Sequence, residues 1–166
     1  VYKRQISKDI FLKEISHGKT TKVLMLEGET LFNQGDKGDK AYMIVSGALD
    51  VVVDGKKVGS MRDGEVFGEM ALILQQNRSA TITSSQSTEL ISISKENLDE
   101  LINSGSKAAQ KVILNLCKEL AKRNDFQNVL YSHDEIDEVI ESENQIIKKI
   151  TKQILYRLEK STSHVE

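Results

Sequence analysis

Glu69 and Arg78 lie in one stretch, FGEMALILQQNRSATI (67–82), and their types and spacing point to an anion site with a hydroxyl site beside it. A strand-like run ends at Gly68, where the backbone can come close to a ligand, and a short helix-compatible piece, Glu69–Ile73, follows. The first N–H groups of a helix have no intrahelical partners and form a ready anion site. Arg78 can return across the loop 75–77 and place a forked guanidinium on the same anion. A carboxylate beside an anion repels it, so Glu69 makes sense as an acceptor for neutral hydroxyls, such as those of a sugar. One anion and one hydroxyl acceptor suit a nucleotide with few charges. Plainer roles stand beside these: Arg78 as a surface residue ending a loop, and Glu69 as a charge complementing the helix macrodipole, which it can do while accepting hydroxyls. Ala71 and Leu72 offer backbone N–H groups, while their side chains suit the core.

Other chemistries lack their residues. His17, His133 and His164 are far apart and no His-x-His occurs, so a metal-dependent enzyme on a β-roll would have no ligand set. There is no Gly-x-Ser-x-Gly, no P-loop lysine motif and no evident nucleophile–base pair. The chain reads as a binding protein, not an enzyme, with no metal and no cofactor beyond its ligand. Cys117 is the only cysteine and sits among helically spaced apolar residues, where a small buried hydrophobe is expected. Charged residues make up 29% of the 166 and the formal net charge is −2, which gives no overall basic field for nucleic acid. No apolar run approaches ~18 residues and no signal-peptide pattern is present, so a soluble, cytoplasmic protein without membrane insertion is expected. The chain begins with Val1 rather than Met, which suggests a piece of a longer protein.

The elements that must position Glu69 and Arg78 are mostly short strands. Ile6, Ile10, Phe11 and Ile15 first show helical spacing, with Ser7 as N-cap and Gly18 as stop. Strand-like runs follow at 22–26, 30–33, 41–45, 49–53, 58–61, 64–67, 80–83 and 89–93, with Gly and Asp between them. Asp54-Gly55 is a two-residue hairpin signal; Gly35 and Gly38 allow turns with positive φ, and Asp36 and Asp39 can accept from nearby backbone amides. Ser94 caps a helix over 95–102, and Ser106 caps another bearing Ala109, Val112, Ile113, Leu116, Cys117, Leu120 and Ala121. Ser132-His133-Asp134-Glu135 reads as the capping box of one last helix, with Ile136, Val139, Ile140, Ile147, Ile150, Ile154 and Leu158 close to one face. These runs predict a mainly β fold with flanking α: an eight-stranded antiparallel jelly-roll-like β-roll with an N-terminal helix and C-terminal helices, divided at 1–106 and 107–166.

The stretch 67–82 resembles the phosphate-binding cassette of cyclic nucleotide-binding domains, F-G-E-x-A-L … R-[STA]-A-T. The segment LFNQGDKGDKAYMIVSGALDVVV resembles the part of that family carrying Q-G-D-x-G-D before a strand and a Gly turn. The resemblance implies a sensor of cAMP or cGMP. It implies that Gly68 and Glu69 meet the ribose 2′-hydroxyl, and that the amides of Ala71 and Leu72, together with Arg78, hold the cyclic phosphate. The expected ligand-binding set is Phe67, Gly68, Glu69, Met70, Ala71, Leu72, Arg78, Ser79 and Ala80. In the family a hydroxyl at the Ser79 position can reach the 2-amino group of a syn guanine, yet the bacterial cAMP receptor also carries Ser there, and cAMP is favoured over cGMP. The Gly38–Asp39 corner lies near the ribose in the family; the two also make sense as turn residues alone. Laid on the bacterial members, Arg123 and Asn124 fall near the purine, on a helix that closes over the base; a solvated helix end is the alternative. Residues 115–131 lack the Thr-Ser pair of the bacterial cAMP receptor.

The apolar stripe of the last helix suits a homodimer seam, though it is shorter than about three to four heptads. The helix also suits passing a signal to a downstream effector domain or protein. No helix-turn-helix is visible, so direct DNA binding is not expected. The sequence thus implies a regulatory cyclic nucleotide sensor; the alternative is a degenerate roll serving as a dimerisation or protein-interaction module.

Overall fold

A short strand hides one face only, so the predicted runs must pair into sheets that pack on one another. The computed structural model describes residues 21–122 and 133–162. Its strands are β1 (Thr21–Met25), β2 (Thr30–Phe32), β3 (Lys40–Ser46), β4 (Ala48–Val53), β5 (Lys56–Arg62), β6 (Val66–Phe67), β7 (Thr81–Ser84) and β8 (Thr88–Ser94). They form two four-stranded sheets, ordered β1-β8-β3-β6 and β2-β7-β4-β5, with every pairing antiparallel. This is the expected eight-stranded β-roll. The helix predicted over 6–15 lies outside the described residues. The chain forms two compact units, Val1–Leu98 and Asp99–Glu166.

Residues from both sheets share one core. Met25, Tyr42, Ile44, Phe67 and Leu90 from one sheet meet Leu49, Met61 and Ile82 from the other, with Leu31, Phe32 and Val51 packed against them. Ala41 and Met43, which alternate with Tyr42 and Ile44 along β3, are also buried, which explains its nearly continuous apolar run. Asp54 and Gly55 both take positive φ, 51° and 78°, in a two-residue turn between β4 and β5. Gln34 ties this hairpin to the β2–β3 loop: its Nε2 donates to Asp54 Oδ1 (3.0 Å) and its Oε1 accepts from Asp54 N (2.8 Å). The Gln34 backbone N–H donates to Thr81 Oγ1 at 2.9 Å, so the loop that faces the 67–82 stretch is pinned at its base.

Five described helices accompany the strands: α1 (Glu69–Ile73), α2 (Lys95–Ser104), α3 (Lys107–Lys122), α4 (His133–Ile140) and α5 (Gln145–Thr162). Ser94 and Ser106 cap α2 and α3 as expected, accepting from Asn97 N (3.2 Å) and Ala109 N (3.1 Å). Along α3, Ala109, Val112, Ile113, Leu116 and Cys117 are buried. The single last helix predicted from 132 onward is instead two. Its apolar spacing is interrupted by Glu141-Ser142-Glu143-Asn144, and Asn144 Oδ1 accepts from Ile147 N at 2.9 Å, which starts α5 afresh. Glu143 Oε1 in that break accepts from Ser106 N at 2.9 Å, so the α4–α5 turn is bonded to the start of α3. The stripe Ile136, Ile140, Ile147, Ile150, Ile154 and Leu158 is 2% exposed or less, so it is core of this chain and not an exposed seam. Among the described residues no helix is long and apolar enough to cross a membrane.

Candidate functional site

β6 brings the chain to Phe67, whose ring stacks on Tyr42 with centroids 5.4 Å apart. Gly68 then turns through φ +79°, ψ −2°, a left-handed conformation that favours glycine, and acts as the N-cap of α1 without a side chain of its own. Glu69 follows, 1% exposed, and Ala71 and Leu72 are buried. The chain leaves α1 through hydrogen bonds from Leu74 N to Met70 O and from Gln76 N to Ala71 O. At Arg78 it is clipped to the β2–β3 loop: Arg78 N donates to Asp36 O (2.7 Å) and Arg78 O accepts from Gly35 N (2.8 Å).

The Arg78 side chain is 5% exposed, a burial that a fixed cation tolerates only when its donors are used. Nη1 donates to Gly68 O at 2.8 Å and Nη2 to Lys40 O at 2.6 Å. Cζ lies 4.1 Å from the centroid of the Phe32 ring. Nε is buried with no hydrogen-bond partner. Burial lowers the pKa of Arg78, against which Tyr42, Asp39, Glu69 and Asp36 act to raise it; an arginine so placed stays charged. Burial also pushes the Tyr42 phenol above its usual range, with the Arg78 charge pulling it down and Asp39 adding to the rise.

Gly38 holds its place for a reason other than the one its turn context suggested. It does not take positive φ, whereas Gly35 does, at +90°. A Cβ on Gly38 would lie 2.6 Å from Arg78 Cζ, 2.7 Å from Nε and 3.0 Å from Ala71 Cβ. Gly38 is therefore required by close approach to the guanidinium. At Gly68 both reasons apply, since a Cβ there would also stand 2.8 Å from Arg78 Nη1. Asp36 behaves as its turn position predicts, with Oδ2 accepting from Asn33 N at 2.9 Å.

The structure thus brings Gly68, Ala71 and Arg78 together with Gly38 and the Lys40 carbonyl. Phe67 and Ala80 are buried, Met70 is half-buried and Ser79 is exposed. Arg123 and Asn124 lie outside the described residues. Sequence reasoning missed Phe32, Tyr42 and Lys40. The two aromatics read as ordinary strand residues, and Lys40 contributes a main-chain carbonyl, which side-chain identity does not reveal. Chemically, a fixed cation with a spare buried N–H can accept one anionic oxygen, and a buried carboxylate nearby can take hydroxyls. Among the described residues no group of three or more His, Cys, Asp or Glu could hold a metal ion.

Residues 23–104 match the family model described as "Cyclic nucleotide-binding domain". The chain is 36% identical to a cGMP-dependent protein kinase of Toxoplasma gondii over 95 residues, 55% of this chain and 10% of that protein. It is 33% identical to a cAMP-dependent protein kinase regulatory subunit of Yarrowia lipolytica over 93 residues, 56% of this chain and 25% of that protein. The chain spans a quarter or less of the length of the curated relatives it matches. Among solved structures, the EAL enzyme Bd1971 in a half-site-occupied form is 31% identical with a TM-score of 0.53, covering 64% of this chain and 100% of that one. The same enzyme has been solved with cAMP bound (TM-score 0.58, 31% identity, 63% of this chain and 29% of that one) and with cGMP bound (0.59, 28%, 80% and 34%).

Proposed function

Because the chain belongs to the cyclic nucleotide-binding domain family, we propose that it senses a cyclic nucleotide, cAMP in preference to cGMP, through the site around Glu69 and Arg78, and passes binding on through its C-terminal helices. The observation that carries this reading is Arg78, held on two main-chain carbonyls with its Nε–H buried and unpartnered. A cyclic monophosphate carries one negative charge, which Arg78 and the first amides of α1 answer. Glu69 then accepts the ribose 2′-hydroxyl. A triphosphate would crowd several negative charges against Glu69 with no P-loop lysine to offset them. The two relatives divide between cGMP and cAMP proteins, so the preference for cAMP rests on the resemblance to the bacterial cAMP receptor, which carries Ser at the position of Ser79 although that hydroxyl can also serve a guanine.

In this reading the module is regulatory and the effector belongs to a downstream domain or partner. Ligand moves the helices only as far as it binds one of their arrangements better than another. Any homodimer forms through the outer faces of the helices, because the apolar stripe is already core.

Calorimetric titration of cAMP and cGMP, in parallel, into nucleotide-free protein and into Arg78→Ala and Arg78→Lys tests the reading. Micromolar or tighter binding is expected, with cAMP the tighter. Arg78→Ala should lose ~3–5 kcal/mol, roughly two to three and a half decades of affinity, by leaving a desolvated anion unpaired. Lysine keeps the charge without the fork and should fall between. Absence of heat and of thermal shift with both nucleotides on a folded protein would refute the function; unchanged affinity in Arg78→Ala would refute the site.

A further inference from the structure

We infer that Phe32 is a positioning residue for the anion site: its ring fixes the plane of the Arg78 guanidinium, so that the N–H groups meant for the ligand are aimed before the ligand arrives. The inference rests on the reading of Arg78 as the phosphate-binding residue, and it adds a residue outside the 67–82 stretch. Three features of the fold converge on it.

The first is a bulge. Thr30 pairs with Thr83 and Phe32 with Ile82, so β2 advances two residues where β7 advances one. In a regular strand Leu31 and Phe32 would point to opposite faces. Here both pack against the same core cluster, and re-aiming a side chain is what bulges near functional sites do.

The second is the support behind the ring. Phe32 lies 6.1 Å from Tyr42 and 6.4 Å from Phe67, tilted 33° and 39° to them, while those two rings stack on each other. The ring is therefore braced by the core.

The third is the guanidinium. Its carbon sits 4.1 Å from the Phe32 centroid, well inside the ~6 Å reach of a cation–π contact. Bonds to Gly68 O and Lys40 O hold its two terminal nitrogens, yet a planar group held at two points can still tilt about the line joining them. The ring removes that freedom. Leucine at position 32 would fill most of the same volume but present no π face.

Two variants separate this role from packing: Phe32→Leu, which removes the π face, and Phe32→Tyr, which keeps it. The ligand-free readout is the Arg78 Nε–Hε resonance in a proton–nitrogen spectrum, identified by its loss in Arg78→Lys. The resonance should carry an upfield ring-current shift in the parent and in Phe32→Tyr, and lose it in Phe32→Leu. With ligand, cAMP affinity should fall by about 2- to 30-fold in Phe32→Leu and be largely restored in Phe32→Tyr. A Phe32→Leu protein that keeps both the shift and the affinity overturns the inference. So does equal loss of affinity in both variants, which would mean packing alone. If Arg78→Ala weakens binding while Phe32→Leu does not, the site reading stands and this inference falls. If the parent binds neither nucleotide yet the shift vanishes only in Phe32→Leu, the positioning stands and the nucleotide reading falls.

Discussion

Replacing Gly38 by alanine adds one methyl group at the most crowded point of the site. The new Cβ would stand 2.6 Å from Arg78 Cζ and 2.7 Å from Nε, where ordinary contact begins at 3.4 Å, and 3.0 Å from Ala71 Cβ. The guanidinium cannot give way cheaply, because the Phe32 ring is 4.1 Å from Cζ and the carbonyls of Gly68 and Lys40 hold Nη1 and Nη2 at 2.8 and 2.6 Å. Gly38 has no positive φ, so alanine adds no backbone strain and the effect is steric alone. If only the loop yields, overpacking costs ~1–3 kcal/mol. If the guanidinium leaves both carbonyls, two hydrogen bonds to a charged group are lost, ~1.5–3 kcal/mol each, for an upper end of ~6 kcal/mol. Urea unfolding with unchanged slope measures this, since at ~1–3 kcal/mol per molar even the lower end moves the midpoint by a few tenths molar or more. The same displacement should weaken cAMP binding at least about tenfold, ~1.4 kcal/mol. Gly59→Ala is the control: nothing lies within 4 Å of its Cβ and its φ is not positive, so it should be neutral or stabilise by ~0.4–1 kcal/mol. A Gly38→Ala protein that matches Gly59→Ala in both midpoint and affinity would refute the close-packing account of the site.

Glu69→Gln should weaken cAMP by roughly one to two decades, the worth of a charge-assisted hydrogen bond of ~1.5–3 kcal/mol. Titrated with 2′-deoxy-cAMP, parent and variant should then bind alike; an equal loss on the deoxy ligand would sink the hydroxyl role. The raised pKa of Tyr42 means that the native state holds this proton more tightly than the unfolded chain. Its contribution is therefore complete below about pH 10 and lost as pH climbs past that value, and Tyr42→Phe should show a shallower alkaline loss of stability by urea unfolding. Identical alkaline slopes would contradict this. Asn144→Ala removes the 2.9 Å cap of α5 and should cost ~0.5–2 kcal/mol, with an unmoved unfolding midpoint as the contrary result.

What could be read from the sequence and what could not divide along a physical line. Short strand-like runs punctuated by Gly and Asp located the strands, and Asp54-Gly55 named its own turn, because two residues with φ > 0 are nearly a signature. The grouping of Gly68, Ala71 and Arg78 was legible because a fork, a glycine and a helix start in one short stretch have few other uses. Phe32 was not legible: its orientation depends on a bulge, which is a property of the pairing with β7 and not of β2 alone. Gly38 was legible as glycine but not for its reason, since turn freedom and close approach leave the same letter. The break between α4 and α5 was hidden by a stripe that resumes seven residues on, at Ile147 after Ile140, close enough to the helical period to look continuous.

The way Arg78 is held bears on how a ligand would act. A guanidinium has five N–H groups, and the bonds to Gly68 O and Lys40 O use one each on Nη1 and Nη2. An anion arriving at Nε and the remaining N–H groups need not displace either carbonyl. The arginine is thus held in place by the fold, and in the proposed reading little of the binding energy would go into ordering it. The same corner has a second attachment. Lys40 O accepts from Arg78, while the preceding carbonyl, Asp39 O, accepts from Lys95 N at 3.2 Å, the first amide of α2. A charge placed on Arg78 therefore acts on a main-chain segment from which α2 also hangs. In the proposed reading, a ligand that favours one arrangement of this corner, where two successive carbonyls are bonded to Arg78 and to the first amide of α2, would shift the protein towards that arrangement.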